Sequence, residues 1–150
     1  MGANWILKLP PGKVTRVAVL INPASASHYT RLQSTETAAK TLGITILPVE
    51  AQDVAQIDAA FVSMRKQNAG ALIVVPHPFF QQRSQQIAEL ATKYRMPSMT
   101  SASIYPEAGC LMSYGTNLHE HFRRAAYYAD KVLKGAKPGD LPIEQPLVIR

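Results

Sequence analysis

The chain has 150 residues, 47% of them apolar, with 16 Lys and Arg against 10 Asp and Glu for a net charge of +6, and a single cysteine, Cys110. That describes one ordinary domain able to build its own core without an internal disulfide. The basic residues are scattered with no run and no aromatic-interleaved stripe, which argues against a nucleic-acid partner, and no window is long and apolar enough to span a membrane.

Residues 1–13 read as an irregular leader containing Leu9-Pro10-Pro11-Gly12. It lacks the charged start and apolar run of a signal peptide and the Ser or Thr of a myristoylation site. The first strand is expected over Arg16 to Ile21, a continuous apolar run that stops at the Asn22-Pro23 corner. A helix follows with Ser27 as its N-cap, with Leu32, Thr35, Ala39 and Leu42 on one face and Gly43 as its stop. Ile44 to Val49 alternates as an edge strand, because Pro48 has no amide to give a central ladder.

Asp53 caps a second helix whose Ile57, Ala60, Phe61 and Met64 point inward, and Asn68-Ala69-Gly70 ends it. Ala71 to Val75 is the most apolar strand and belongs at the sheet's centre, running into Pro76-His77-Pro78. A third helix is expected from about Phe80 to Tyr94, then a short strand at Met96 to Thr100 and a loop bearing Ser101, Ser103, Tyr105 and Pro106. Gly109 to Gly115 holds a short strand closed by glycine. The last helix runs from near Asn117 to Leu133, with Leu118, Phe122, Ala125, Ala126, Ala129 and Val132 as its buried stripe and Gly135 as its stop. Residues 136–150 form a proline-rich extended tail, neither helical nor a central strand, with an apolar end at Leu147-Val148-Ile149.

This alternation predicts an α/β fold: a three-layer α/β/α sandwich with a doubly wound, mainly parallel sheet of about five strands, residues 14–135 forming a single lobe. In the order 2-1-3-4-5, strands one and three are neighbours at the switch point, beyond whose carboxyl ends such sheets bind ligands. Asn22 and His77 then stand side by side.

The chemistry at those ends excludes several classes. The Asn22-Pro23-Ala24-Ser25-Ala26-Ser27 corner lacks the glycines of a phosphate loop, so no dinucleotide or other cofactor is implied. Its hydroxyls at a helix start suit an anion, and simple capping by Ser25 or Ser27 accounts for them equally well. His119 and His121 are two apart on a helix and point about 200° away from each other, and neither His28 nor His77 has cysteines at zinc spacing, so no metal site is expected. No Gly-x-Ser-x-Gly elbow and no paired carboxylates at strand ends are present, so no catalytic residues are assigned and the chain does not read as an enzyme. What the ends do carry is amide, hydroxyl, imidazole and aromatic groups: Asn22, Ser25, His77, Phe79, Ser101, Tyr105 and Tyr114. These hold a small polar ligand rather than transform it.

With those residues in view, the chain resembles the periplasmic solute-binding proteins of ABC transporters, in particular the tryptophan/tyrosine-type group. The resemblance rests on Arg16-Val17-Ala18-Val19-Leu20 running into Asn22-Pro23-Ala24, on Ala71-Leu72-Ile73-Val74 into Pro76 and Pro78-Phe79-Phe80, and on Glu107-Ala108-Gly109-Cys110-Leu111-Met112-Ser113-Tyr114-Gly115. It continues through Arg123-Arg124-Ala125-Ala126, Asp130-Lys131-Val132-Leu133-Lys134-Gly135-Ala136-Lys137-Pro138 and Asp140-Leu141-Pro142-Ile143-Glu144-Gln145-Pro146, and so spans about Val14 to Pro146.

The resemblance implies the C-terminal lobe of a two-lobed, type I binding-protein fold that closes on an amino acid or similar solute and delivers it to a transporter permease. Asn22 matches the asparagine after the lobe's first strand, His77 replaces an acidic or amide residue, Ser25-Ala26 replace a second Asn-Pro pair, and Ser103-Ile104 replace a charged pair. It also implies a periplasmic or extracellular location, whereas the chain, which shows no signal peptide, reads as cytoplasmic if it is complete as given. An alternative is a stand-alone regulatory domain that hides its exposed cleft face by forming a homodimer.

Overall fold

The computed structural model describes residues 14–115, 118–143 and 148–149. Five parallel strands, β1 (Arg16–Ile21), β2 (Thr45–Glu50), β3 (Ala71–Val74), β4 (Ser98–Thr100) and β5 (Met112–Gly115), lie in the order 2-1-3-4-5, and β6 (Val148–Ile149) adds antiparallel to β5. The predicted doubly wound order is therefore the observed one. β1 sits between β2 and β3, and Val17 to Ile21 are completely buried, as an uninterrupted apolar strand covered on both faces must be. β2 lies at the edge, where the missing amide of Pro48 costs the ladder nothing.

The helices are α1 (Ala26–Lys40), α2 (Val54–Lys66), α3 (Pro78–Gln82), α4 (Ser84–Lys93), α5 (Ile104–Glu107) and α6 (Leu118–Leu133). Strand alternation splits the core between two faces. Ala18, Leu20, Leu72 and Val74 pack with Ile57, Phe61 and Met64 of α2 and Ile87 and Leu90 of α4, while Val19 and Ile21 pack with Leu32 of α1. Asp53 caps α2 through a 2.8 Å bond accepted from the Gln56 amide, and Asn68 ends that segment in the left-handed conformation, φ 55°.

Several local expectations are corrected. Ser25, not Ser27, is the N-cap of α1, and Ser27 lies in the first turn with its Oγ 3.0 Å from that of Ser25. The third predicted helix is two, because Pro78 at N1 and the His77 cap start α3 early and the amide of Arg83 turns tightly onto the Phe80 carbonyl. The loop after β4 contains the turn of helix α5.

The largest correction concerns α6. No residue from His121 to Leu133 is buried: Phe122 is 73% exposed, Leu133 87%, and Ala125, Ala126, Ala129 and Val132 are exposed as well, while the side chain of Leu118 lies outside the described residues. Helical periodicity marks a face that gains from being covered, but it does not say by what, and this helix does not lie on its own sheet. The tail doubles back along it, with one 3-10 turn at Pro138–Asp140 where an extended path was expected, and the Tyr128 hydroxyl donates to the Pro142 carbonyl at 2.9 Å. β6 then returns to β5 in the register Tyr114↔Ile149 and Gly115↔Val148. Helix and tail form an arm that leaves and rejoins the sheet at one place.

Candidate ligand-binding site

The carboxyl ends of β1 and β3 are tied together by His28. Its Nδ1 accepts the Asn22 amide at 2.8 Å, so the ring carries its proton on Nε2, which lies 3.1 Å from the Pro76 carbonyl and donates to it. Asn22 Oδ1 accepts the Ala24 amide at 2.9 Å, and the Asn22 carbonyl accepts the Ser25 amide at 3.1 Å. Asn22 and His28 are 4% and 1% exposed. Both therefore shape the corner from behind. Burial, the largest cause, holds the His28 pKa below the usual histidine value; the Pro76 hydrogen bond works the other way, and the neighbouring His77 ring and Arg31 guanidinium add to the lowering.

His77 caps α3, its Nδ1 accepting the Phe79 amide at 3.2 Å, and its ring packs against Phe80 with centroids 5.8 Å apart. With Nδ1 so engaged, Nε2 is the ring nitrogen with no hydrogen bond among the described residues. Phe79 is half-buried beside Phe80. Asn22 and His77 thus flank the switch point as their strand order requires.

Beside this corner a groove of about 490 Å³ opens on the α1 face of the sheet. Ile73, Met99 and Tyr114 line it from the strands, Pro76, Thr100 and Ser101 from their ends, and Thr30, Arg31, Ser34 and Thr35 from α1. Arg31 is its one formal charge among the described residues. Ser101 and Tyr114 are therefore brought together. Asn22, Ser25, His77 and Phe79 belong to the adjoining corner instead. Gly115 lets the end of β5 meet the loop after β4: a Cβ there would collide with the Ser101 carbonyl oxygen.

Tyr105 lies apart from all of these. It is 1% exposed and packs with Phe80, Ile87 and Cys110 on the opposite face of the sheet, where its hydroxyl has no hydrogen-bond partner among the described residues and burial pushes its pKa far above that of an ordinary phenol. Cys110 is likewise buried, its pKa raised by that burial, as suits an inert thiol. Sequence reasoning missed the α1 contribution. Thr30, Arg31, Ser34, Thr35 and Ala38 recur at helical spacing beside the buried Leu32 and Ala39, and that polar shoulder next to an apolar stripe was the available signal. Among the described residues no cluster of metal-ligating side chains occurs, and no helix is long and apolar enough to cross a membrane.

The sequence profile of the family described as "ABC transporter substrate binding protein" matches residues 5–147. No curated protein sequence matches the chain. Among solved structures, a conserved domain protein from Vibrio cholerae O1 biovar eltor is similar at 18% identity and TM-score 0.74, covering 96% of this chain and 49% of that one. A ligand-free, open substrate binding protein with adhesive properties from Clostridium difficile is similar at 17% identity and TM-score 0.75, covering 98% and 50%. An ABC domain from Streptococcus pneumonia in complex with L-Trp is similar at 21% identity and TM-score 0.73, covering 94% and 47%. These likenesses are of fold, that of one lobe of a type I periplasmic-binding-protein-like architecture. The chain spans about half the length of each.

Proposed function

Because the chain belongs to the ABC transporter substrate-binding protein family, we propose that it is a solute-binding lobe whose carboxyl strand edge forms one wall of a cleft for a small polar solute such as an amino acid. The observation that carries this reading is the groove beside the switch point. There Arg31 shares the rim with Thr30, Ser34, Thr35, Ser101 and Tyr114, above a floor of Ile73 and Met99. A guanidinium grips a carboxylate, hydroxyls orient an amine, and an apolar floor takes a side chain. Ser25, Phe79 and the free Nε2 of His77 extend the wall at the corner, with Asn22 and His28 holding its shape. Tyr105, facing the other core, is assigned no contact.

The opposite wall is a second lobe, in keeping with the doubled length of the similar structures. The permease of an ABC transporter is the partner and the periplasm or cell exterior the location. One relative of the fold holds L-Trp, which supports amino acids as the first class to try. No step of the reading requires bond chemistry, and the protein acts by holding its solute.

Calorimetric titration of the chain with aromatic and branched-chain amino acids tests the reading. Binding is expected, and Arg31→Met should weaken it about 10- to 100-fold, the worth of a charged hydrogen bond. Silence across these amino acids overturns amino acids as the solute class, and unchanged affinity in Arg31→Met overturns the groove as their site.

A further inference from the structure

We propose that His28 positions the ligand corner and senses acid there: on taking up a proton its ring releases the Asn22 amide, the ends of β1 and β3 part, and the corner loosens its hold on a solute. The release of solute rests on the functional reading above; the opening of the corner rests on its own hydrogen bonds.

The ring stands where the ladder between β1 and β3 runs out. The last backbone rung there is the Val75 amide on the Leu20 carbonyl, at 3.1 Å. Two residues on, where the Asn22 amide would make the next rung to β3, it meets the imidazole instead at 2.8 Å, and the same ring reaches the Pro76 carbonyl at 3.1 Å. A side chain from α1 thus serves as a rung, and its width sets the gap between two strand ends. Asn22 carries the effect onward, because its Oδ1 holds the Ala24 amide and its carbonyl holds the Ser25 amide at the turn into α1.

Only the neutral imidazole fills this place. Nδ1 accepts from an amide while Nε2 donates to a carbonyl, and a second proton would set one N–H against another. The Asn22 amide, in a residue 4% exposed, would then be stranded without an acceptor, a cost that moving the corner relieves. Nothing around the ring offsets a positive charge. From α1, Arg31 faces it; from the start of α3, the His77 ring stands edge-on, with its own Nδ1 taken by the Phe79 amide. The ends of β1 and β3 present uncharged groups, and Glu50 at the end of β2 is bonded to the Tyr29 hydroxyl at 2.9 Å. Among the described residues no carboxylate bonds to either imidazole. Since His28 is 1% exposed, these neighbours are the lobe's own, independent of what stands across the cleft. Burial keeps its titration below the ordinary histidine value of about 6.5, in the range a mild acid reaches.

Nitrogen-15 NMR of the chain from about pH 7.5 to about pH 4.5 tests the opening. The ring nitrogens of His28 and the amides of Asn22 and Ala24 should shift along one curve with its midpoint below about pH 6.5, while the amides of Val17 to Val19 in the middle of β1 hold still. His28→Gln offers an acceptor and a donor side by side but does not titrate, so it should abolish the Asn22 shift, whereas His77→Gln should keep it. Calorimetry with L-tryptophan as the probe then reads the hold on solute. Its dissociation constant should rise by up to about tenfold per pH unit below the His28 midpoint, and His28→Gln should remove that slope. An Asn22 amide that holds still while His28 titrates, an Asn22 shift that survives in His28→Gln, or a collapse of the whole spectrum at the same pH overturns the proposal. An L-tryptophan affinity level with pH across a corner that does open overturns the release. Silence of L-tryptophan at every pH counts against the functional reading and takes the release with it, while the NMR curve still decides the corner.

Discussion

The imidazole of His28 stands edge-on to that of His77, ring centroids 5.3 Å apart and planes at 85°. One ring bridges the ends of β1 and β3, and the other caps the helix that leaves β3. The shape of the switch point therefore depends on a ring that must stay neutral, since a protonated Nδ1 could no longer accept the Asn22 amide.

Folding stability should fall in mild acid for this reason. The unfolded chain titrates His28 near the ordinary value of about 6.5, and the folded chain titrates it lower. Between the two values the unfolded state holds the extra proton, so the stabilisation is complete above about pH 6.5 and is lost as pH falls through that window. Urea denaturation from pH 7.5 downward should show this slope. His28→Leu, which removes both hydrogen bonds, should cost about 1–3 kcal/mol at neutral pH and flatten the slope. An equal slope in wild type and variant would show that another group is responsible.

Gly115→Ala should destabilise the fold by about 1–3 kcal/mol, the usual cost of overpacking. The obstacle is the backbone carbonyl of Ser101, which no side-chain rotation can relieve. Gly139→Ala is the control, because nothing lies within 4 Å of a Cβ there. Thermal denaturation of the two variants side by side should leave the control near wild type. A Gly115→Ala protein as stable as the control would mean that the loop after β4 yields freely.

Tyr105→Phe should leave stability unchanged or raise it by up to about 1 kcal/mol, because the hydroxyl it removes is buried with no partner among the described residues. Tyr105→Ala, which empties the same space in the core, should cost about 3–5 kcal/mol. Guanidinium denaturation curves of the pair separate the two effects. A loss in Tyr105→Phe comparable with that in Tyr105→Ala would reveal a hydrogen bond at this hydroxyl.

The continuous apolar runs of β1 and β3 made the sheet and its order readable from the letters, because a strand covered on both faces leaves no polar alternation to confuse with anything else. Pro48 made the edge readable by the amide it lacks. The cover of α6 was not readable, since a stripe encodes a demand for contact and not the identity of what meets it. Tyr105 looked like a loop aromatic facing a ligand, but α5 and the Cys110 segment fold it into the core beneath. In the candidate site, Ser101 and Tyr114 were visible as strand-end polar groups. Arg31 was not, because a cation on a helix resembles any solvated residue until the sheet beside it is in place.

The pairing of Gly115 with Val148 places the two roots of the arm opposite each other on neighbouring strands. The helix and tail over 118–143 thus lie between the two strands of an antiparallel pair. A two-residue turn joining β5 directly to β6 would complete the same sheet, so this lobe can lengthen, exchange or shed its arm without redrawing the architecture that carries its ligand corner.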